Sequence, residues 1–308
     1  MVAVSIVMPA HNARATIDRA IDSALVQTFG DFELIIVDDL SSDDTVDLVE
    51  RRAADDPRIR LMRLSKNGGP ASARNAALDV AQGKWIALLD ADDAWRPDRL
   101  EMLTRSDDHD FLADQIIGYD AVAGIETGRF MRRTQTGEVD LVRMLRTGYG
   151  YDFGFLKPMM RRAFLERAGL RYSPALRHGE DFVLYVRAVA AGARFGVLSY
   201  PGYVYTTPRG RSSAVASPHT QTRPTNDTLA AALEAVGEEF AATLTPAERA
   251  AIVWRADFYR TRIPFDGFVG ACRRRDPAAA IRNFVKAPIS VSRHLSQELW
   301  VRYVRETA

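Results

Sequence analysis

The chain is 308 residues long, 47% hydrophobic and 26% charged, with a formal net charge of +1. That is the composition of a soluble globular protein with enough apolar residues for a large core, and the overall charge gives no reason to expect nucleic-acid binding. The single cysteine, Cys272, excludes an internal disulfide and any cysteine-based metal cluster.

Val2 to Met8 reads as an apolar strand closed by Pro9, followed by a His11-Asn12 loop. Thr16 to Gln27 has the spacing of a helix, with Ile17, Ala20, Ile21, Ala24 and Leu25 on one face. Phe32 to Val37 is a second apolar strand ending at Asp38-Asp39. Ser41 or Ser42 is expected to cap the next helix, which buries Val46, Val49 and Ala53. Ile59 to Leu64 is a third strand, and Pro70 opens a helix that runs to about Ala81. Trp85 to Leu89 is a fourth strand, and three carboxylates follow it within four positions, Asp90, Asp92 and Asp93. This β-α alternation predicts an α/β fold with a mostly parallel sheet flanked by helices.

The second half is less regular. Strands are expected at Gln115 to Tyr119, Arg129 to Arg133, Arg194 to Ser199 and Tyr203 to Thr206. Helices are expected at Val139 to Arg146, at Arg162 to Ala168 and after Glu180-Asp181. The polar stretch from Ser217 to Asn226 marks a boundary between a domain of residues 1–216 and a helical region of residues 227–308, with breaks near Pro264 and Pro288. No run approaches the ~18 apolar residues of a membrane span. No basic leader precedes the first strand, so neither a signal peptide nor a transmembrane helix is expected, and the expected location is cytoplasmic.

Unpaired carboxylates do not belong inside a buried strand, so Asp90 to Asp93 are expected at its carboxyl end, where α/β sheets bind ligands. Asp-x-Asp at such an end suits Mg2+ or Mn2+ held by one or two carboxylates while phosphates and water complete the shell. The plainer reading is a turn whose aspartates cap a helix starting at Pro97.

Five stretches in order resemble the family 2 glycosyltransferases, covering Val4 to about Ser213. They are Ser5-Ile-Val-Met-Pro-Ala-His-Asn12, Ile36-Val-Asp-Asp-Leu-Ser-Ser-Asp-Asp-Thr45, Gly69-Pro-Ala-Ser-Ala-Arg-Asn75, Leu89-Asp-Ala-Asp-Asp93 and Glu180-Asp181. Lys157-Pro-Met-Met-Arg-Arg and Gly179-Glu-Asp-Phe are most similar to bacterial transferases of the succinoglycan, exopolysaccharide-building type. The resemblance implies the GT-A nucleotide-diphospho-sugar fold with a C-terminal helical extension. It also implies inverting transfer from a UDP-sugar to a saccharide or lipid-linked saccharide acceptor.

The resemblance carries residue roles with it. The metal, Mn2+ or Mg2+, falls on Asp92 as principal ligand, with Asp90 supporting it or the ribose, and Ala91 between them. Asp93 is either an outer carboxylate or a helix cap. Asp39 accepts from the uracil imide, and Pro9, Ala10 and His11 form the floor under the base with Asn12 beside them. His11 either stacks or is a hydrogen-bonded loop histidine. Gly69 lies in the loop ahead of Arg74, which either reaches the base or diphosphate or is a surface arginine. Asp181 is the general base, its pKa kept low by the helix start, and Glu180 orients the acceptor or buttresses the site; the plainer reading makes both of them helix-start acids serving the dipole. Arg209 and Arg211 stand in the loop over the diphosphate where relatives often carry a metal-binding histidine. His178 serves the acceptor side or is a plain surface residue.

Competing readings are weaker. A dehalogenase-type phosphatase places Asp-x-Asp at the start of the chain, and a Rossmann oxidoreductase requires Gly-x-Gly-x-x-Gly after the first strand. The non-enzymatic alternative is a transferase-like module that binds a nucleotide-sugar or saccharide without turnover.

Residues 254–308 hold 11 Lys/Arg against 5 Asp/Glu. Ile281, Phe284, Val285, Leu295, Leu299, Trp300, Tyr303 and Val304 stand beside Arg273-Arg274-Arg275, Arg282, Lys286, Arg293, Arg302 and Arg305. Such a face suits an anionic membrane surface on the inner side of the membrane, packing on the catalytic domain, or a homodimer contact.

Overall fold

The computed structural model describes residues 2–131, 135–147, 153–207, 226–273, 275–292 and 294–296. It separates into two compact units, Met1–Asp140 with Phe153–Thr222, and Leu141–Asp152 with Arg223–Ala308. The helix at residues 141–146 therefore groups with the C-terminal helices rather than with its chain neighbours.

The first unit opens with β1 (Val4–Ala10), α1 (Ile17–Leu25), β2 (Phe32–Asp38), α2 (Thr45–Asp55), β3 (Ile59–Arg63), α3 (Gly69–Val80) and β4 (Trp85–Leu88). These strands pair in parallel in the order β3-β2-β1-β4. Ile6, Val7, Met8, Leu34, Ile35, Ile36, Ile86, Ala87 and Leu88 are fully buried, as a sheet covered on both faces requires. Strand β1 runs past Pro9, against expectation. Leu89 N–H donates to Val7 and Asp39 N–H donates to Ala10, so alternate residues of β1 face β4 and β2. Pro9, which has no N–H to give, faces the β4 side where that strand has already ended.

The chain continues through β5 (Ala94–Trp95), α4 (Arg99–Thr104), β6 (Phe111–Ala113), β7 (Ile116–Asp120), β8 (Ile125–Arg129), β9 (Gly137–Glu138), α5 (Leu141–Arg146), β10 (Met159–Arg161), α6 (Arg162–Arg167), α7 (Glu180–Ala190), β11 (Phe195–Val197) and β12 (Tyr203–Thr207). The large sheet has the order β3-β2-β1-β4-β10-β6-β11-β9, and a smaller one has β5-β12-β7-β8. Beyond β4 the large sheet is mixed, because β10 lies antiparallel to both β4 and β6. The strand expected at Arg129 to Arg133 lies earlier, at β8, which pairs antiparallel with β7.

Arg99, fully buried, ties the start of α4 to the rest of the unit. Its Nε and Nη2 donate to Asp114 at 2.9 and 2.7 Å, and Nη2 donates to the Lys157 carbonyl at 2.6 Å. The guanidinium also lies 4.6 Å from the Trp95 ring centroid and 5.1 Å from that of Tyr203. A β-carbon at Gly202 would come within 2.4 Å of Asp114 Oδ2, so this crossing needs glycine.

The second unit consists of α5 with α8 (Asn226–Glu239), α9 (Pro246–Arg273) and α10 (Pro277–Lys286). No break occurs at Pro264: α9 continues through it, giving up the one hydrogen bond a proline cannot make. The helical run does pause at Ala287, ahead of Pro288. Helix α10 buries Ala279 and Ala280 and leaves Ile281 and Val285 exposed, while Phe284 lies 6.2 Å from Phe268. Leu299, Trp300, Tyr303, Val304, Arg274, Arg293, Arg302 and Arg305 lie outside the described residues. Among the described residues no helix is long and apolar enough to cross a membrane.

The loop after β2 stores strain. Ser41 and Ser42 do not cap α2. Ser41 N–H donates to the Asp38 carboxylate, Ser41 Oγ accepts from Asn12 N–H, and Ser42 N–H donates to Asn12 Oδ1 at 2.8 Å. These bonds lace the β1 and β2 loops together and force Leu40 to φ 63° with half its surface exposed. A branched side chain there costs roughly 1–2 kcal/mol. Leu40→Gly is expected to raise the melting temperature by a few degrees, after the unfolded chain's extra freedom is set against the relief. An unchanged or lower melting temperature in a thermal scan would show the loop to be unstrained.

Candidate active site

The carboxyl ends of β1 to β4 meet at one edge of the large sheet. Asp39, buried there, accepts from the backbone N–H groups of Gly68 and Gly69, both at 2.7 Å. Gly69 has φ 78°, a conformation that glycine adopts freely. His11 Nδ1 lies 2.8 Å from the Asp39 carbonyl, and Asn67 Nδ2 donates to the same carbonyl at 3.0 Å. His11 is thus a hydrogen-bonded loop histidine, and Asp39 braces the glycine turn with one lone pair left on each oxygen.

The Asp-x-Asp stretch is divided by its surroundings. Asp93 is buried and ties the loop to β12: Tyr203 Oη donates to Oδ2 at 2.8 Å and Thr206 N–H donates to Oδ1 at 2.7 Å. It caps no helix. Burial, with Asp92 and Asp90 nearby, pushes its carboxyl well above the usual range. Asp90 is claimed by two cations, with Oδ1 2.8 Å from Arg74 Nη2 and Oδ2 3.0 Å from Lys157 Nζ. Burial opposes its charge, but Lys157 and Arg74 outweigh that and hold it well below the usual range. Asp92 is exposed; its backbone carbonyl is engaged by Arg19 at 2.8 Å and by the Thr206 hydroxyl, and its carboxylate accepts from its own backbone N–H. Desolvation and the charge of Asp90 push the Asp92 carboxyl up, and a cation there would relieve both.

Helix α7 supplies the other two carboxylates. Gly179, at φ 75°, turns the chain into the helix, and Glu180 and Asp181 occupy its first turn, buried. Glu180 Oε1 accepts from Arg74 at 2.7 Å, and Asp181 Oδ2 accepts from Lys157 at 2.5 Å. Asp181 Oδ1 lies 3.3 Å from Arg74 Nη1 but accepts no hydrogen bond. The Asp181 pKa is not low, as the helix start implied. Burial raises it, Glu180 and Asp90 add to the rise, and Arg74 and Lys157 only partly offset them. In Glu180 the same two cations win against burial, and its carboxyl is held below the usual range.

Arg74 therefore does not present a free guanidinium to a nucleotide. Three carboxylates hold it, and it sits 5.3 Å over the Tyr172 ring. Asn75 fixes that ring's backbone, accepting from Tyr172 N–H and donating to its carbonyl, both at 2.9 Å. Lys157 was not singled out from the sequence as a site residue, because β10 is too short to read as a strand. Its register, Met159 opposite Ala87, sets Lys157 opposite Leu89, one residue from Asp90. Pro9 and Ala10 lie in β1, Asn12 in the laced loop, and Ala91 is buried between Asp90 and Asp92. His178 is exposed. Arg209 and Arg211 lie outside the described residues.

The residues suit a divalent ion in one way only. Among the described residues no three His, Cys, Asp or Glu side chains converge as a ready cage. Asp92 offers an exposed carboxylate that no described side chain hydrogen-bonds, which fits an ion whose remaining ligands are phosphate and water. Asp90, Glu180 and Asp181 outnumber the cations Arg74 and Lys157, and Asp92 beside Asp90 adds negative charge that a divalent ion would offset.

Residues 5–167 match the model of glycosyl transferase family 2. The chain belongs to that family. The succinoglycan biosynthesis protein ExoU of Rhizobium meliloti (strain 1021) is 43% identical over 222 residues, 68% of this chain and 63% of that protein. The chain thus spans less than two thirds of that relative. An Escherichia coli protein, UDP-Glc:alpha-D-GlcNAc-diphosphoundecaprenol beta-1,3-glucosyltransferase WfgD, is 46% identical over 99 residues, 32% of this chain and 38% of that one. The crystal structure of Staphylococcus aureus TarS 1-349 in complex with UDP-GlcNAc superposes with a TM-score of 0.69 at 22% identity, covering 94% of this chain and 81% of that one. The fold is the GT-A fold that the family motifs implied, with a helical C-terminal region.

Lys157 is the family member's test of this arrangement. Lys157→Met leaves Asp90 and Asp181 short of a buried cation. It is expected to destabilise the fold by about 3 kcal/mol in urea unfolding. It also removes a charge that opposes the rise of the Asp181 pKa, so the acid limb of any catalysed rate should move to higher pH. Unchanged stability together with an unchanged limb would show that the ammonium does not hold the pair.

Proposed function

We propose that the protein transfers a sugar from a UDP-sugar to a saccharide hydroxyl with inversion, in the assembly of an exopolysaccharide. The observation that carries this reading is Asp181 Oδ1. It is a buried carboxylate oxygen with no hydrogen-bond donor, on a carboxyl whose pKa is raised, in the same ionic cluster as the Asp-x-Asp stretch. The names of ExoU and WfgD support the polymer and the lipid-linked acceptor.

In the proposed reaction the acceptor oxygen attacks the anomeric carbon opposite the diphosphate. The new C–O bond forms as the bond to UDP breaks, and UDP leaves with the electron pair. Asp181 Oδ1 takes the acceptor's proton, and Lys157 on Oδ2 keeps that carboxylate oriented. Asp92 would hold Mn2+ or Mg2+, which supplies positive charge to the departing diphosphate. Asp90, whose oxygens each hold one cation and keep a further lone pair, would anchor Arg74 and Lys157 and support the ion's site. Asp39 would read the uracil imide through its remaining lone pairs while holding the Gly68-Gly69 turn.

Asp181→Asn separates base catalysis from binding. With a panel of UDP-sugars and Mg2+, turnover should fall by about 10²- to 10⁴-fold while UDP affinity measured by calorimetry stays within a factor of two or so of the parent. Turnover near the parent level would remove Asp181 from the role of base, and an equal loss of affinity would make it structural.

A further inference from the structure

We propose that Phe130, Phe155 and Tyr205 form the platform on which a pyranose ring of the acceptor lies, a subsite that rests on the transferase reading above. The three rings gather at one point. Centroids are 4.5 Å apart for Phe130 and Tyr205, 5.2 Å for Phe130 and Phe155, and 5.9 Å for Phe155 and Tyr205. The two Phe155 pairs meet edge to face, at 68° and 83°, the arrangement the ring quadrupole favours. Phe155 is 38% exposed while its neighbours Phe153 and Leu156 are fully buried. The short turn Phe153–Phe155 thus buries one ring and presents the other.

The platform is fixed to the catalytic groups on two sides. Phe155 stands two residues before Lys157, which holds Asp181 and Asp90. Tyr185, one helical turn after Asp181 on α7, donates its hydroxyl to the Leu156 carbonyl at 2.9 Å, and Arg99 holds the next carbonyl. On the other side, Tyr205 follows Tyr203 by two in β12 and so shares its face. Tyr203 Oη reaches Asp93 and the Asp90 N–H. Continuing the β5–β12 register sets Tyr205 opposite Asp93. Burial and the charges of Asp93 and Asp92 push the Tyr205 hydroxyl up, which agrees with that closeness.

The chemistry selects a sugar. One face of a pyranose carries weakly positive C–H groups that fit the negative face of an aromatic ring, and its hydroxyls remain free at the rim. The donor's base and metal-bound diphosphate call for oxygen acceptors, which Asp39 and Asp92 supply, the Gly68 and Gly69 N–H groups being already bonded to Asp39. The rings lead instead, through Phe155 and Lys157, to Asp181, where the acceptor hydroxyl must arrive.

Saturation-transfer NMR on the full chain with UDP and Mg2+, using methyl glucopyranoside and methyl galactopyranoside as probes, tests the platform. Saturation of the protein's aromatic protons should pass to sugar C–H protons. Phe155→Leu, which keeps an apolar side chain without a ring, should bind the best pyranoside roughly five- to tenfold more weakly, and Phe155→Trp should retain it. UDP affinity should be unchanged in both. Equal pyranoside binding by Phe155→Leu, or no saturation transfer to either sugar while UDP binds, would overturn the platform. Failure of the parent protein to bind UDP would remove the transferase reading, and the platform with it.

Discussion

The ammonium of Lys157, held between Asp90 and Asp181, is the contact on which the rest of the site depends. Three carboxylates, the half-buried Asp90 and the buried Glu180 and Asp181, come together from the end of a strand and the start of a helix. In a low-dielectric interior such a group would neutralise or push itself apart. Lys157 and Arg74 prevent this by each bridging β4 to α7, so charge and geometry are fixed by the same bonds. The cations themselves are anchored from outside. Arg99 grips the Lys157 carbonyl while Asp114 grips Arg99, and Tyr172 underlies Arg74.

This arrangement divides labour among acids that are chemically alike. Asp90 and Glu180 are kept ionised by their partners and serve as struts. Asp93, with a raised pKa, is spent on Tyr203 and Thr206. Two groups of this cluster remain available, the Asp92 carboxylate at the surface and Asp181 Oδ1 within. A transferase needs one charge to meet a leaving diphosphate and one base to meet an acceptor proton.

The parallel half of the fold was legible because each of its strands is an apolar run that ends in polar residues, and three helices with clear periodicity separate them. Asp90 to Asp93 followed directly from that pattern. Lys157 did not, because β10 is three residues long and its antiparallel placement beside β4 depends on pairing that local composition does not encode. Arg74 could be placed on a helix near the glycine turn, but not which way it points; two carboxylates more than a hundred residues away in sequence decide that. Asp181 misled for a related reason. A helix start favours a charged carboxylate, but the first turn of α7 is buried, and desolvation outweighs the dipole. Ser41 and Ser42 had the composition of caps, but Asn12 and Asp38 took their hydrogen bonds first.

The division of the carboxylates is most directly tested by a crystal structure of the protein with UDP and Mn2+, located by its anomalous signal. The account predicts the ion on Asp92 and the diphosphate, with Lys157 Nζ still bonded to both Asp90 and Asp181. An ion ligated by Asp90, with Lys157 driven off that carboxylate, would contradict it.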